Sequence, residues 1–305
     1  MKRFAFLAAA CLALCSCQGT TAQPQQGLEV STAFYPLQYL VEEIAGKEAH
    51  ITSLTPAGTE PHDLELATKD LVQLHKADLV LYQKGFQPAV DEAIRQAEPK
   101  TALDISTAVA LVPTTAHEGE HALVGISKAH EHAELDPHFW LDPLRMEAAI
   151  APINRALTQA DPEHKEQFAA NAAALKKRLD DLDSSYRQRL RNCGLSQIIV
   201  SHEAYGYLAD RYGFLQVGLS GFDPEQEASP TQLAKIGKIA ADAGVEVIFS
   251  ENLLNQKSAK TLAADLGIKS EVLDPIETKV GKADYLDTMK LTLDKIANAL
   301  QCKTK

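Results

Sequence analysis

The sequence predicts an α/β protein of two lobes, each a mostly parallel sheet flanked by helices, joined by one long spine helix, with a metal site in the cleft between the lobes. Three observations predict it. Short β-branched or aromatic runs alternate with helical patterns over residues 28–105, the same rhythm returns over 197–301, and one apolar stripe at helical spacing fills the interval 161–191. Alternation of this kind builds parallel sheets covered by helices.

In the first lobe the expected strands are 28–34, 50–54, 78–82 and 101–105, and the expected helices are 36–45, 68–76 and 87–96. In the second lobe the strands are 197–200, 216–219, 245–249 and 271–273, and the helices are 204–211, 231–243, 256–266 and 284–301. Asp161-Pro162-Glu163 is a strong helix start, and Phe168, Leu175, Leu179, Leu182, Tyr186 and Leu190 follow at spacings of three, four and seven. At 1.5 Å per residue, this 31-residue segment would form a rod of roughly 46 Å, long enough to brace both lobes and to keep movements on ligand binding small. The expected organisation is a lobe over 28–160, the spine over 161–191 and a second lobe over 192–305.

Ahead of the first strand, residues 1–17 read as an export signal, with Lys2 and Arg3 before an apolar stretch over 4–14 that is too short to span a bilayer. Leu14-Cys15-Ser16-Cys17 resembles a bacterial lipobox, which makes Cys17 the lipid-modified N-terminus; Cys15 and Cys11 fit less well. Residues 18–27 are polar, contain Gly, Pro and Gln, and read as a flexible tether. The expected location is therefore extracytoplasmic in the cell envelope, anchored to a membrane by lipid or periplasmic. Loss of Lys2 and Arg3 with the signal leaves 28 basic against 41 acidic residues, a formal charge of −13 that argues against a nucleic-acid partner. The only cysteines beyond Cys17 are Cys193 and Cys302, an even pair at the two ends of one lobe and a candidate disulfide in an oxidising compartment.

Three of the ten histidines stand where a β-like run gives way to a loop: His62 in Thr59-Glu60-Pro61-His62-Asp63, His138 in Asp136-Pro137-His138-Phe139-Trp140, and His202 in Val200-Ser201-His202-Glu203. Ligands of open α/β sheets bind beyond the carboxyl ends of strands, and a cleft between two such lobes would gather all three imidazoles. Each histidine taken alone could cap a helix or satisfy a core hydrogen bond; the joint placement points to a metal. The fourth ligand is expected from a strand end of the second lobe, where Phe249-Ser250-Glu251 and Val272-Leu273-Asp274-Pro275 both offer a carboxylate. Asp142 and Glu203 are candidates for carboxylates that orient the imidazoles of His138 and His202. Residues 114–135 lack any period, carry His117, His121, His130 and His132, and have the composition of a weak metal-collecting loop. His50, His75 and His164 are assigned to surfaces.

Over residues 28–302 the chain resembles the ZnuA/TroA-like (cluster A-I) solute-binding lipoproteins of zinc and manganese ABC importers. The resemblance rests on Gly58-Thr59-Glu60-Pro61-His62-Asp63 with Asp70 downstream, on Asp136-Pro137-His138-Phe139-Trp140-Leu141-Asp142-Pro143, on His202-Glu203-Ala204-Tyr205-Gly206-Tyr207, and on Leu273-Asp274-Pro275 ahead of Tyr285-Leu286. It implies one divalent ion held between the lobes and passed to an ABC permease, no enzymatic activity, and a monomer. It also implies His62, His138, His202 and Asp274 as the ligands, with Glu251 in reserve. Members of the manganese branch place a glutamate where this chain has His202, so the resemblance implies zinc, and three nitrogens with one carboxylate suit zinc better than manganese. A manganese receptor of the same family is the alternative. An envelope zinc hydrolase with Glu60 or Glu203 as general base is a rival of another class, but the chain has no His-Glu-x-x-His segment. An adhesin or zinc buffer is a third reading.

Overall fold

A computed structural model describes residues 27–114, 135–224, 226, 228–253 and 256–303. The expected export signal, Cys17, all but the last residue of the tether, and His117, His121, His130 and His132 lie outside the described residues. Among the described residues no helix is long and apolar enough to cross a membrane.

The first lobe contains β1 (Leu28–Thr32), α1 (Tyr35–Ala45), β2 (Ala49–Ser53), α2 (Thr68–Lys76), β3 (Leu79–Tyr82), α3 (Pro88–Ala97) and β4 (Ala102–Asp104). Its four strands are all parallel, in the order β2-β1-β3-β4. The second lobe repeats the plan with β5 (Gln197–Val200), α6 (Gly206–Tyr212), β6 (Leu215–Gly218), α7 (Pro230–Ala243), β7 (Val247–Ser250), α8 (Lys257–Leu266), β8 (Lys269–Val272) and α9 (Tyr285–Ala299). Its order is β6-β5-β7-β8, again all parallel. In each sheet the first strand lies inside and the strand order reverses beside it, the switch point at which such sheets bind ligands.

Between the lobes stand α4 (Pro143–Ala160) and α5 (Lys165–Arg189). The spine is thus 25 residues, about 38 Å, preceded by a tight turn over Pro162–His164, shorter than the 31 residues of the sequence reading. Helix α4 does not figure among the sequence-predicted elements. Asp142 caps it by accepting from the Leu144 N–H at 2.9 Å, and Pro152 sits inside it with one helical hydrogen bond forgone. Phe168, Leu175, Leu179, Leu182 and Tyr186 form the buried face of α5. This helix reaches lobe one through Asn171 Nδ2, which donates to the Ile44 carbonyl at 3.0 Å, and lobe two through the Tyr186 hydroxyl, which donates to the Met289 carbonyl at 2.7 Å.

One apolar core runs from Leu28 through Trp140 and α5 to Leu300, crossing from one lobe to the other, while a smaller core around Ile236, Ile248 and Leu262 lies beneath α7 and α8. Wide hinge opening would expose the shared core, at about 1.5–3 kcal/mol for each large apolar side chain, which confines motion to the cleft loops. A disulfide joins Cys193, ahead of β5, to Cys302, after α9.

Candidate metal centre

The three imidazoles and one carboxylate meet at the cleft. His202 stands two residues beyond the carboxyl end of β5, His62 lies in the loop after β2, and His138 precedes the short turn Phe139–Leu141 that leads into α4. Glu277, in the loop after β8, completes the group, and one atom from each of the four lies within 4.8 Å of the others. Glu277 Oε1 is 3.4 Å from His62 Nε2, 3.3 Å from His138 Nε2 and 3.4 Å from His202 Nε2, and the last two nitrogens are 3.3 Å apart.

These spacings carry chemical meaning. Tetrahedral zinc with ligands at 2.0–2.1 Å has ligand-to-ligand edges of about 3.3–3.4 Å. His138 Nδ1 donates to Asp136 Oδ1 at 2.7 Å and His202 Nδ1 donates to Glu251 Oε1 at 2.7 Å. Carboxylates accept, so each bond places the proton on Nδ1 and turns an Nε2 lone pair toward the other imidazole. Two lone pairs facing at 3.3 Å repel unless a cation or a proton lies between them. His138 and His202 are fully buried, Glu277 is 2 % exposed, and His62 is 15 % exposed.

Electrostatics separate the imidazoles. Burial lowers the pKa of His62, although Glu277 works against it. Burial opposes protonation of His138 too, but the charge and hydrogen bond of Asp136 outweigh it and the pKa is raised. For His202 burial is likewise overcome, chiefly by Glu251, and the pKa lies well above the ordinary value. Burial also disfavours the Glu277 carboxylate, yet hydrogen bonds from the three histidines hold it well below the usual range. Glu60, whose carboxylate accepts from the His62 N–H at 3.0 Å, is pushed up to about 8 by burial and by the charge of Glu277. The pocket is built to hold positive charge at the Nε2 atoms.

Each ligand segment is fixed from behind. Gln87 Nε2 donates to the Pro61 carbonyl at 3.1 Å and to Thr55 Oγ1 at 3.0 Å, and the Phe86 ring meets the His62 imidazole edge-on at 4.9 Å between centroids. The Tyr207 hydroxyl, from lobe two, donates to the Asp136 carbonyl at 2.8 Å and accepts from the Val112 N–H at 2.9 Å, holding the His138 segment across the cleft.

The family model for "zinc-uptake complex component A periplasmic", ZnuA, matches residues 30–299. The chain belongs to the ZnuA family. It is 31 % identical over 314 residues to the high-affinity zinc uptake system protein ZnuA of Bacillus subtilis, with 98 % of each chain covered. It is 31 % identical over 307 residues to the zinc-binding lipoprotein AdcA of Streptococcus pneumoniae, covering 96 % of this chain but 60 % of AdcA, so it spans little more than half of that longer relative. Its fold is similar to that of the laminin-binding protein Lmb of Streptococcus agalactiae, described as bifunctional with adhesin and metal transporting activity (TM-score 0.79, 27 % identity, 90 % of this chain and 100 % of that one).

Within this ZnuA family chain the structure brings to the three histidines a different carboxylate from the one expected. Glu277 stands with the three histidines, and Asp274 does not. Asp274 Oδ1 turns back to accept from the Ile276 N–H at 2.8 Å, an Asx turn ahead of the site, and the residue lines a small pocket with Glu60, Glu251 and Glu277. Glu251, the reserve ligand, instead braces His202. Asp142 does not orient His138: its carboxylate caps α4 and is paired with Arg211 and Arg145, and Asp136 takes the orienting place. Glu203 lies beside Gly218, where an added Cβ would come within 2.5 Å of its Cγ, and it is outside the ligand group. Asp136 was legible as the residue two before His138; Glu277 offered only the signal of a second carboxylate in the loop of Asp274. His50 and His75 are exposed, whereas His164 is partly buried between Asp161 at 2.6 Å and Glu48 at 3.4 Å.

Proposed function

We propose that the protein is an extracytoplasmic receptor that captures one Zn²⁺ through His62, His138, His202 and Glu277 and delivers it to an ABC-type permease. The observation that carries this reading is the set of 3.3–3.4 Å spacings among one carboxylate oxygen and three imidazole nitrogens. Three nitrogens and one oxygen select zinc over manganese, which prefers oxygen-rich sites and binds nitrogen donors less tightly. The donor set also speaks against a hydrolase, because Glu277 takes the position that a reactive water would occupy. Of the relatives named above, the zinc uptake protein supports import as the use of the captured ion, and the zinc-binding lipoprotein supports zinc as that ion.

In this reading Cys17 carries the lipid anchor, the chain acts as a monomer outside the cytoplasmic membrane, and His117, His121, His130 and His132 form an accessory collecting segment. Deleting residues 117–132 should leave the tight site intact in a zinc titration, and loss of that site would refute the accessory role. The deciding experiment measures metal content and competitive zinc and manganese titrations on the chain from Leu28 onward, for wild type, His202→Ala and Glu277→Gln. One tight zinc per chain, weakened in both variants and resistant to manganese, is the expected result; no tight site, or preference for manganese, overturns the reading.

A further inference from the structure

The loop that carries Glu277 starts from the sheet of lobe two but is fastened to lobe one on both sides of the ligand. Ahead of it, the Trp140 indole N–H donates to the Pro275 carbonyl at 2.8 Å. Behind it, Thr278 Oγ1 accepts from the Gly58 N–H at 3.0 Å and donates to the Pro56 carbonyl at 3.3 Å. The Tyr285 hydroxyl then donates to the Trp140 carbonyl at 2.5 Å, closing the path back to the turn next to His138.

Between the two fastenings Ile276 is buried with φ of +60°. A β-branched residue rarely adopts the left-handed region, because its Cβ crowds the following carbonyl, and it persists there only where the surroundings hold it. Trp140 is wholly buried and packed against Phe34 and Phe86, so its fastening belongs to the core. Thr278 is different. Its partners are backbone atoms of the 56–59 turn, where Gly58 is exposed with φ of +79°, and that turn leads directly to Glu60 and His62. One hydroxyl therefore spans the rim of the cleft and couples the two ligands whose loops face each other there.

We propose that Thr278 is a positioning residue for Glu277: its hydroxyl latches the Glu277 loop to the 56–59 turn of lobe one and sets how fast a bound ion leaves. The proposal rests on the zinc-receptor reading above. With the latch closed, the carboxylate oxygen stays at the three imidazoles. With it open, the strained Ile276 backbone is free to relax and carry Glu277 away, while His138 and His202 stay in place on their carboxylates.

The test uses the two isosteric halves of threonine. Valine keeps the shape and loses the hydroxyl; serine keeps the hydroxyl and loses the methyl. Zinc-loaded wild type, Thr278→Val and Thr278→Ser are mixed with excess chelator and the zinc dissociation rate is recorded, alongside association with free zinc. A latch predicts dissociation roughly tenfold faster for Thr278→Val, close to wild type for Thr278→Ser, and association within about twofold for both. A packing role gives the reverse order, and either that order or a wild-type rate for Thr278→Val overturns the latch alone. Failure of the wild-type chain to load zinc overturns the receptor reading and the latch together.

Discussion

His138 and His202 differ from His62 in the features that govern metal binding. The first two are fully buried, each donates Nδ1–H to its own carboxylate, and both hold protons more tightly than a free imidazole. His62 is partly exposed, is positioned through its backbone N–H and the edge of Phe86, and holds a proton less tightly. The difference divides the site into an inner pair fixed before the ion arrives and a rim ligand that can exchange with water. An ion entering from solvent would meet His62 early and part from it late.

Removing an inner imidazole is the strongest way to break this comparison. Structural zinc sites with four ligands bind with about 10–16 kcal/mol, so losing one well-oriented ligand costs roughly a quarter of that, a 10²- to 10³-fold loss of affinity for His138→Ala or His202→Ala. His62→Ala should cost about tenfold, because zinc readily accepts water beside three protein ligands. Competition against a chelator of known affinity measures all three variants. Equal losses would show that burial and carboxylate support do not distinguish the ligands.

The orienting carboxylates come next. Asp136→Asn and Glu251→Gln each leave a hydrogen-bond partner at Nδ1 but remove the charge, and should weaken zinc binding about 10- to 100-fold. Asp142→Asn should leave zinc affinity within about twofold, since asparagine also caps helices and Asp142 faces Arg211 and Arg145. A large effect at Asp142 with none at Asp136 would reverse the assignment of these roles.

Protons sharpen the contrast further. The raised pKa values of His138 and His202 mean that their protons stabilise the metal-free fold fully below the unfolded value of about 6.5, and that this contribution is lost as pH rises through their folded values. His62 works the other way, disfavouring the fold below about 6.5, where the unfolded chain takes up a proton that the folded site resists. Zinc must displace the inner protons, so its affinity should begin to fall while pH is still above about 6.5, by tenfold per pH unit for each proton displaced. Titrations between about pH 8 and 6 should retain that slope in His62→Ala and lose one proton of it in His202→Ala. An unchanged slope in His202→Ala would remove the inner pair as the proton competitor.

The three histidines were legible because strand ends and turns are: β2 and β5, which precede His62 and His202, are β-branched runs that stop at polar turns, and His138 stands in the turn ahead of Phe139–Leu141. It carried α2 to the residue, since Thr68–Lys76 has both an apolar rhythm and a clear start. It did not carry Glu277, because the loop after β8 is shaped by two things that pattern does not reveal. Asp274 spends its carboxylate on the Ile276 N–H, and Ile276 takes a backbone conformation that its side chain disfavours everywhere except under tertiary constraint. Helix α4 escaped because Pro152 lies inside it, and a proline, having no N–H to donate, ordinarily ends or kinks a helix.

The smallest expected effect on the metal lies at the disulfide. Cys193 and Cys302 lie 109 residues apart, and together they tie the segment before β5 to the chain after α9. Leu195 N–H bonds to the Leu300 carbonyl and Lys303 N–H to the Asn192 carbonyl in the same place, at 3.0 Å each, so the covalent link reinforces an existing clamp. The clamp sits at the amino end of β5, whereas His202 stands beyond its carboxyl end, with the full strand between them. Replacing both cysteines by serine should therefore lower unfolding free energy by about 2–4 kcal/mol, chiefly through the larger freedom of the unfolded chain, and leave zinc affinity within about twofold. Denaturant unfolding and zinc titration of the same double variant separate the two quantities. A joint loss of both would mean that the amino end of the lobe-two sheet communicates with the imidazoles, and that the inner pair owes its rigidity to the clamp as well as to Asp136 and Glu251.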